Sequence, residues 1–147
     1  IYRRNFPLIG NGENYCHWIL VDDLVKAFRL AAQTEKSNGQ IYIIAGERAV
    51  TLRHTMETIA DCYGVKLLPF SIPLMPVQIA GSIIEAICKP FGIEPPLHRR
   101  RADFFIKNRA FDCSKAKEEL GFKASYSFEE EARIVARWYL ENNWAVE

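Results

Sequence analysis

Apolar residues recur at helical spacing in several stretches of the chain. Leu24, Ala27, Phe28 and Ala31 stand at i, i+3, i+4 and i+7, which predicts an amphipathic helix with one buried stripe. Asp22 or Asp23 is expected to cap its start, because a carboxylate there accepts free N–H groups and complements the helix dipole. That role leaves no reason to read the Asp pair as acid/base chemistry. Thr51 is expected to cap a second helix, with Leu52, Met56, Ile59, Ala60 and Tyr63 on one face and Gly64 at its end. His54 falls off that stripe and is expected to be exposed. Residues 76–89 make the most apolar helix, with Gln78, Ser82, Glu85 and Lys89 as a polar stripe. A membrane span needs about 20 apolar residues, so this stretch reads as an amphipathic helix packed on the domain. A further helix is capped by Ser114 or Asp112 and ends at Gly121. Ser127-Phe128-Glu129-Glu130 is a capping box. It opens a last helix with Phe128, Ala132, Val135 and Tyr139 on one face, Trp138 beside them, and Asn142-Asn143-Trp144 at its end.

Short apolar runs between these helices read as strands. Cys16–Val21 is one, and Lys66–Phe70 is an expected edge strand. Ile41–Ile44 is continuous and β-branched, as buried parallel strands are. Arg109–Cys113 is β-prone. Residues 1–15 read as loop, with a turn at Gly10-Asn11-Gly12. The 147 residues are expected to make a single unit over residues 1–147, long enough for a core.

Composition narrows the function classes. Of 147 residues, 49% are hydrophobic and 25% charged, and the net charge is +1. That is a globular profile with no electrostatic case for nucleic acid. Cys16, Cys62, Cys88 and Cys113 form no C-x-x-C pair, so reduced thiols in a cytoplasmic protein are expected. His17, His54 and His98 lack metal-ligand spacing, and no G-x-S-x-G or P-loop occurs. Ile1-Tyr2-Arg3-Arg4 carries neither Met nor an apolar leader, and is read as a start inside a longer chain.

The densest candidate chemistry lies in 99–122. Arg99, Arg100 and Arg101 precede the pair Phe104-Phe105, and Lys107 and Arg109 follow. Basic residues beside paired aromatics suit the wall of a site for a partly apolar, partly anionic small molecule. The plainer reading is a solvated basic loop over two core phenylalanines.

Several landmarks resemble one family. They are Gly10-Asn11-Gly12 with His17-Trp18-Ile19-Leu20-Val21-Asp22-Asp23-Leu24; Gln40–Ile44 with Val50-Thr51-Leu52; and Arg101-Ala102-Asp103-Phe104-Phe105 with Asn108–Asp112, Ser114-Lys115-Ala116 and Leu120-Gly121-Phe122. Together they resemble the C-terminal part of extended short-chain dehydrogenases/reductases, the NAD-dependent epimerase/dehydratase family. The resemblance implies an α/β fold, the C-terminal portion of an extended Rossmann-type fold. It would hold the last sheet strand and a mostly helical substrate-binding lobe, with the dinucleotide-binding half outside this chain. It implies NAD or NADP for the complete protein, and no cofactor-binding or catalytic residue here. No G-x-x-G-x-x-G and no Tyr-x-x-x-Lys occurs.

By resemblance the substrate-binding residues are Arg101, Phe104, Phe105, His17, Trp18 and Asn11, and no metal is implied. The substrate would be a small molecule reacting at a hydroxyl or keto group: steroid-like, flavonoid-like or sugar-derived. Nucleotide-sugar members usually carry Arg where Cys16 stands, and a thiol does not suit a phosphate. That departure, with Asp103-Phe104-Phe105, is closer to the hydroxysteroid-dehydrogenase-like and flavonol-reductase-like branches. Expected partners are the substrate and the missing N-terminal half, with a homodimer compatible. Membrane-surface contact through 76–91 is compatible but not expected. The alternative is a stand-alone, non-catalytic interaction module or a degenerate relative.

Overall fold

A computed structural model describes residues 8–68, 70–73, 75–76, 79, 83–84, 88, 103–142 and 144. Arg101, the Pro95-Pro96 break and most of the expected 76–89 helix lie outside these residues. The described positions from Met75 to Cys88 are helical.

The chain runs β1 (Leu8–Ile9), β2 (Tyr15–Cys16), α1 (Val21–Gln33), β3 (Val50–Thr51), α2 (Leu52–Cys62), β4 (Ser71–Ile72), α3 (Ser114–Leu120) and α4 (Phe128–Glu141). A 3₁₀ turn at Asp103–Phe105 precedes α3. β1 pairs parallel with β4, with Leu8 opposite Ser71, and β2 pairs antiparallel with β3, with Cys16 opposite Val50. The expected loop over 1–15 therefore contains two short strands. The edge strand forms at 71–72, just beyond the expected Lys66–Phe70, where it reaches β1.

The loop at 10–14 is built onto the start of α2. A helix leaves its first N–H groups without intrahelical partners. Here Leu52 N–H donates to the Asn14 carbonyl at 2.8 Å and Arg53 N–H to the Gly12 carbonyl at 2.9 Å. His54 N–H donates to Thr51 Oγ1 at 3.1 Å, the cap expected. Gly12 has φ +71°, and a Cβ there would stand 2.9 Å from a Leu8 methyl and 3.0 Å from Arg53 Cβ. Only glycine lets the turn seat this closely.

Two small cores follow. Leu8, Cys16, Leu52 and Met56 form one, with Leu67, Phe104 and Phe105 packed at its edge. Ala27, Ala116, Leu120 and Phe122 form the other, joining α1 to α3, with Tyr42 and Ile44 against it.

Three expectations change here. α1 starts after Leu20, whose side chain does not cap, and neither Asp22 nor Asp23 takes that position. Asp23 is 1% exposed, and its carboxylate accepts Ser125 N–H at 2.7 Å. Phe28 is 66% exposed, because the small Ala27 is the residue pressed against α3. Ile41–Ile44, expected as a buried strand, forms no strand among the described residues. Only Tyr42 and Ile44 pack inward, and Ile41 is 84% exposed. The segment is buried on one face, not two.

At the C-terminal side, Ser127 and Glu130 make both bonds of the capping box. Gly121 closes α3 in the left-handed conformation, φ +65°. α3 takes Cys113 as its cap, while Asp112 accepts Ser114 N–H at 2.9 Å. α2 and α4 pack together, and His54 at that junction, its side chain 41% exposed, bonds Glu129 at 2.7 Å.

Candidate functional site

Residues 104–111 are laced along residues 14–17. Asn14 Nδ2 donates to the Phe104 carbonyl at 3.0 Å, and Tyr15 N–H donates to Asn108 Oδ1 at 2.9 Å. Arg109 N–H donates to the Tyr15 carbonyl at 2.7 Å, making a parallel bridge between Cys16 and Arg109. Phe111 N–H donates to His17 Nδ1 at 3.3 Å. These contacts join parts of the chain some ninety residues apart, so no local pattern announces them.

The lacing assembles an aromatic wall. Phe104 meets Phe105 edge-on at 5.3 Å, and Trp18 lies 6.4 Å from Phe104. Trp18 Nε1 donates to Thr55 Oγ1 at 3.0 Å, which fixes the indole on α2. The Arg109 guanidinium lies over the Phe104 ring, 5.2 Å from its centroid.

Of the residues expected to meet substrate, Trp18, Phe104 and Phe105 thus come together. His17 stands behind them. Its Nε2 donates to the Gly46 carbonyl at 3.2 Å while Nδ1 accepts from Phe111. Both ring nitrogens are engaged, which requires the neutral ring protonated at Nε2. Asn11 is exposed in its own turn, accepting Glu13 N–H on Oδ1 and Arg53 on its carbonyl. Asn14, Arg109 and Thr55 were not among the expected site residues. Asn14 and Arg109 are placed by the 14–17/104–111 lacing, and Thr55 by the packing of α2.

Burial pushes the Cys16 thiol above its usual range, against the opposing pull of Arg109. It therefore stays protonated at neutral pH and presents no thiolate nucleophile. Among the described residues, no three His, Cys, Asp or Glu side chains group as a metal site, and no helix is long and apolar enough to cross a membrane.

A concavity of about 320 Å³ opens between α2, α4 and residues 18–20. Trp18, Ile59, Val135 and Tyr139 form its walls, and Glu131 is on its lining. Glu131 is 5% exposed, and its Oε1 accepts Leu20 N–H at 3.0 Å, serving the start of α1. Burial, and after it the nearby Asp23, push its carboxyl upward, while the Leu20 bond pulls it down. A folded-state pKa raised above the unfolded value contributes stability that is complete below the unfolded pKa and fades as pH rises through the folded one. Glu131→Gln keeps an acceptor for Leu20 without the charge. Its melting temperature is expected to overtake wild type as pH rises from about 4, the ordinary glutamate range, to 7. Melts in which the wild type gains on the variant over that interval would contradict this.

A family profile described as GDP-mannose 4,6 dehydratase matches residues 2–135. The 2-alkyl-3-oxoalkanoate reductase of Shewanella oneidensis is 28% identical over 84% of this chain and 34% of its own length. A probable dTDP-glucose 4,6-dehydratase of Sinorhizobium fredii is 26% identical over 97% of this chain and 35% of its own. Among solved structures, the UDP-glucose 4-epimerase of Thermotoga maritima superposes with a TM-score of 0.63 at 20% identity, over 97% of this chain and 37% of the epimerase. The chain thus spans about a third of the length of these relatives, and the shared fold is the Rossmann-type fold of the epimerases and dehydratases. On these matches the chain belongs to the GDP-mannose 4,6-dehydratase family, within the extended short-chain dehydrogenases/reductases that include the NAD-dependent epimerases and dehydratases.

Proposed function

We propose that this chain is the substrate-binding portion of an NAD(P)-dependent oxidoreductase, epimerase or dehydratase. Its substrate is a small molecule reacting at a hydroxyl or keto group: steroid-like, flavonoid-like or sugar-derived. The observation that carries the reading is the wall of Trp18, Phe104 and Phe105, held to the backbone of 14–17 beside a basic run. Such a wall offers apolar stacking area with cations at its margin. Arg101, Phe104, Phe105, Trp18 and Asn11 are the proposed substrate-facing residues, and His17 belongs to the proposed set as a positioning residue that holds residues 46 and 111 in place.

The described residues do not fit the pyrophosphate of a nicotinamide cofactor. That group needs helix N-terminal N–H groups left free by a glycine turn. At the starts of α1 to α4, at least one leading N–H group is already bonded to a protein acceptor. Glu131 takes Leu20 N–H before α1, Gly12 and Asn14 serve α2, Asp112 serves α3 and Ser127 serves α4. The proposed dinucleotide half is therefore a separate portion of the protein, and the chemistry of hydride transfer belongs there.

Calorimetry on residues 1–147 is expected to show no saturable NADH or NADPH binding, while the protein as its gene encodes it binds one of them. Stoichiometric micromolar binding by residues 1–147 would overturn the division of labour. Absence of nicotinamide binding in the encoded protein would leave a non-catalytic relative.

A further inference from the structure

One oxygen beside the aromatic wall has no partner. Asn14 is 5% exposed, and its Nδ2 is spent on the Phe104 carbonyl at 3.0 Å. Its Oδ1 has no hydrogen-bond partner among the described residues. A buried amide oxygen left unpaired is costly and calls for a donor. The Arg109 guanidinium reaches the same carbonyl, with Nη1 at 3.4 Å from Phe104 O. That bond is long and uses one of five N–H donors. Among the described residues no carboxylate stands within ion-pair distance of Arg109. The Asn14 amide, through Nδ2, and the Arg109 guanidinium therefore meet at one carbonyl, with Arg109 over the Phe104 ring and Asn14 Oδ1 unpaired among the described residues.

These two groups are complementary to one kind of chemistry. A guanidinium takes an anionic oxygen, and an amide oxygen takes an O–H or N–H. We propose that Asn14 and Arg109 form a polar subsite for a hydroxylated anion, the anionic oxygen on Arg109 and the hydroxyl donated to Asn14 Oδ1. This deepens the proposed function and rests on it: the subsite holds the polar end of the substrate while Phe104 and Trp18 stack its remainder. Carboxylate and phosphate share the required chemistry, and the test separates them.

The protein as its gene encodes it is titrated with 3-hydroxybutyrate, butyrate and glycerol 3-phosphate, followed by NMR line shapes and chemical shifts. Saturable binding of 3-hydroxybutyrate or glycerol 3-phosphate is expected, and the tighter of the two identifies the anion. Butyrate, which lacks the hydroxyl, should bind more weakly than 3-hydroxybutyrate. Arg109→Met should weaken the tighter probe by about tenfold or more, and Arg109→Lys by less, because charge persists without the fork. Asn14→Asp gives up the Nδ2 bond to the Phe104 carbonyl and sets a carboxylate beside Arg109; it should abolish anion binding in protein that still melts cooperatively. That variant decides the matter if Arg109→Met folds poorly. No saturable binding of either probe by wild type, or unchanged affinity in Arg109→Met with a wild-type melt, would overturn the subsite and leave a bound water as the partner of Asn14. Nicotinamide-dependent turnover separates the two failures. Turnover with unchanged kcat/KM in Arg109→Met sinks the subsite alone, whereas no turnover counts against the functional reading and leaves the titration readable.

Discussion

Gly46→Ala is expected to destabilise the protein by about 3–4 kcal/mol, a large share of a typical domain's stability. A Cβ at Gly46 would stand 2.4 Å from the Trp18 carbonyl oxygen, which is backbone and cannot swing aside. The Gly46 peptide is also bonded on both sides. Its N–H donates to the Trp18 carbonyl at 2.8 Å, and its own carbonyl accepts from His17 Nε2 at 3.2 Å. To admit a methyl group, residues 45–47 must draw away from 17–18 and strain or lose both bonds, each worth about 1 kcal/mol, in addition to an overpacking cost of about 1–3 kcal/mol. Gly39→Ala is the control. Gly39 has φ +71° with nothing within 4 Å of a Cβ, so only backbone strain of about 1 kcal/mol applies. Urea melts of both variants measure this. A Gly46→Ala protein no less stable than Gly39→Ala would show that the 17–18/46 clamp is loose.

Arg101→Ala is expected to lower kcat/KM by roughly 30- to 900-fold in the protein as its gene encodes it, equivalent to about 2–4 kcal/mol for a lost charge-assisted bond. Over residues 99–109 five cations, Arg99, Arg100, Arg101, Lys107 and Arg109, stand against one anion, Asp103. The net +4 needs water or an anionic counterpart, because an unpaired buried charge is strongly unfavourable. Arg99 and Arg100 can meet water. Arg101 adjoins the segment whose Phe104 carbonyl is tied to Asn14 at the aromatic wall, which is the argument for its facing substrate. If Arg101 only decorates the surface, the change stays within about 0.5 kcal/mol. An unchanged kcat/KM with an unchanged thermal melt would remove it from the site. Loss of activity with an early melt would assign Arg101 to the fold instead.

The two variants probe different kinds of information. The positions at which helices begin and end were mostly legible. Thr51, the Ser127/Glu130 box, Gly64 and Gly121 all act where their spacing placed them. Each relies on partners within one helical turn, so a single stretch contains both halves of the interaction. α3 departs by one residue, taking Cys113 rather than Ser114 or Asp112 as its cap, and α1 departs further. Its start is served by Glu131, 111 residues away, and the nearby Asp23 turns to Ser125 instead. The apolar stripe of α1 was legible as a stripe but not in its rotation. Which side faced inward depended on α3 and the residues just after it offering Leu120 and Phe122 to Ala27.

The wall of the candidate site divides in the same way. Trp18, Phe104 and Phe105 could be named because aromatics beside cations, in a family's order, have a recognisable chemistry. Asn14 and Arg109 could not be given roles, since one is an ordinary loop amide and the other one cation among five. Their convergence on the Phe104 carbonyl exists only once β2 and residues 104–111 run side by side. Sequence alone determined the family, the helix boundaries set by local caps, and the kinds of side chain available to the site. Tertiary structure decided which carboxylate serves α1, which face of α1 is buried, and which amide and guanidinium meet. Local hydrogen bonds and periodicities are written in neighbouring residues, whereas a buried polar contact depends on two distant segments whose meeting no single stretch specifies.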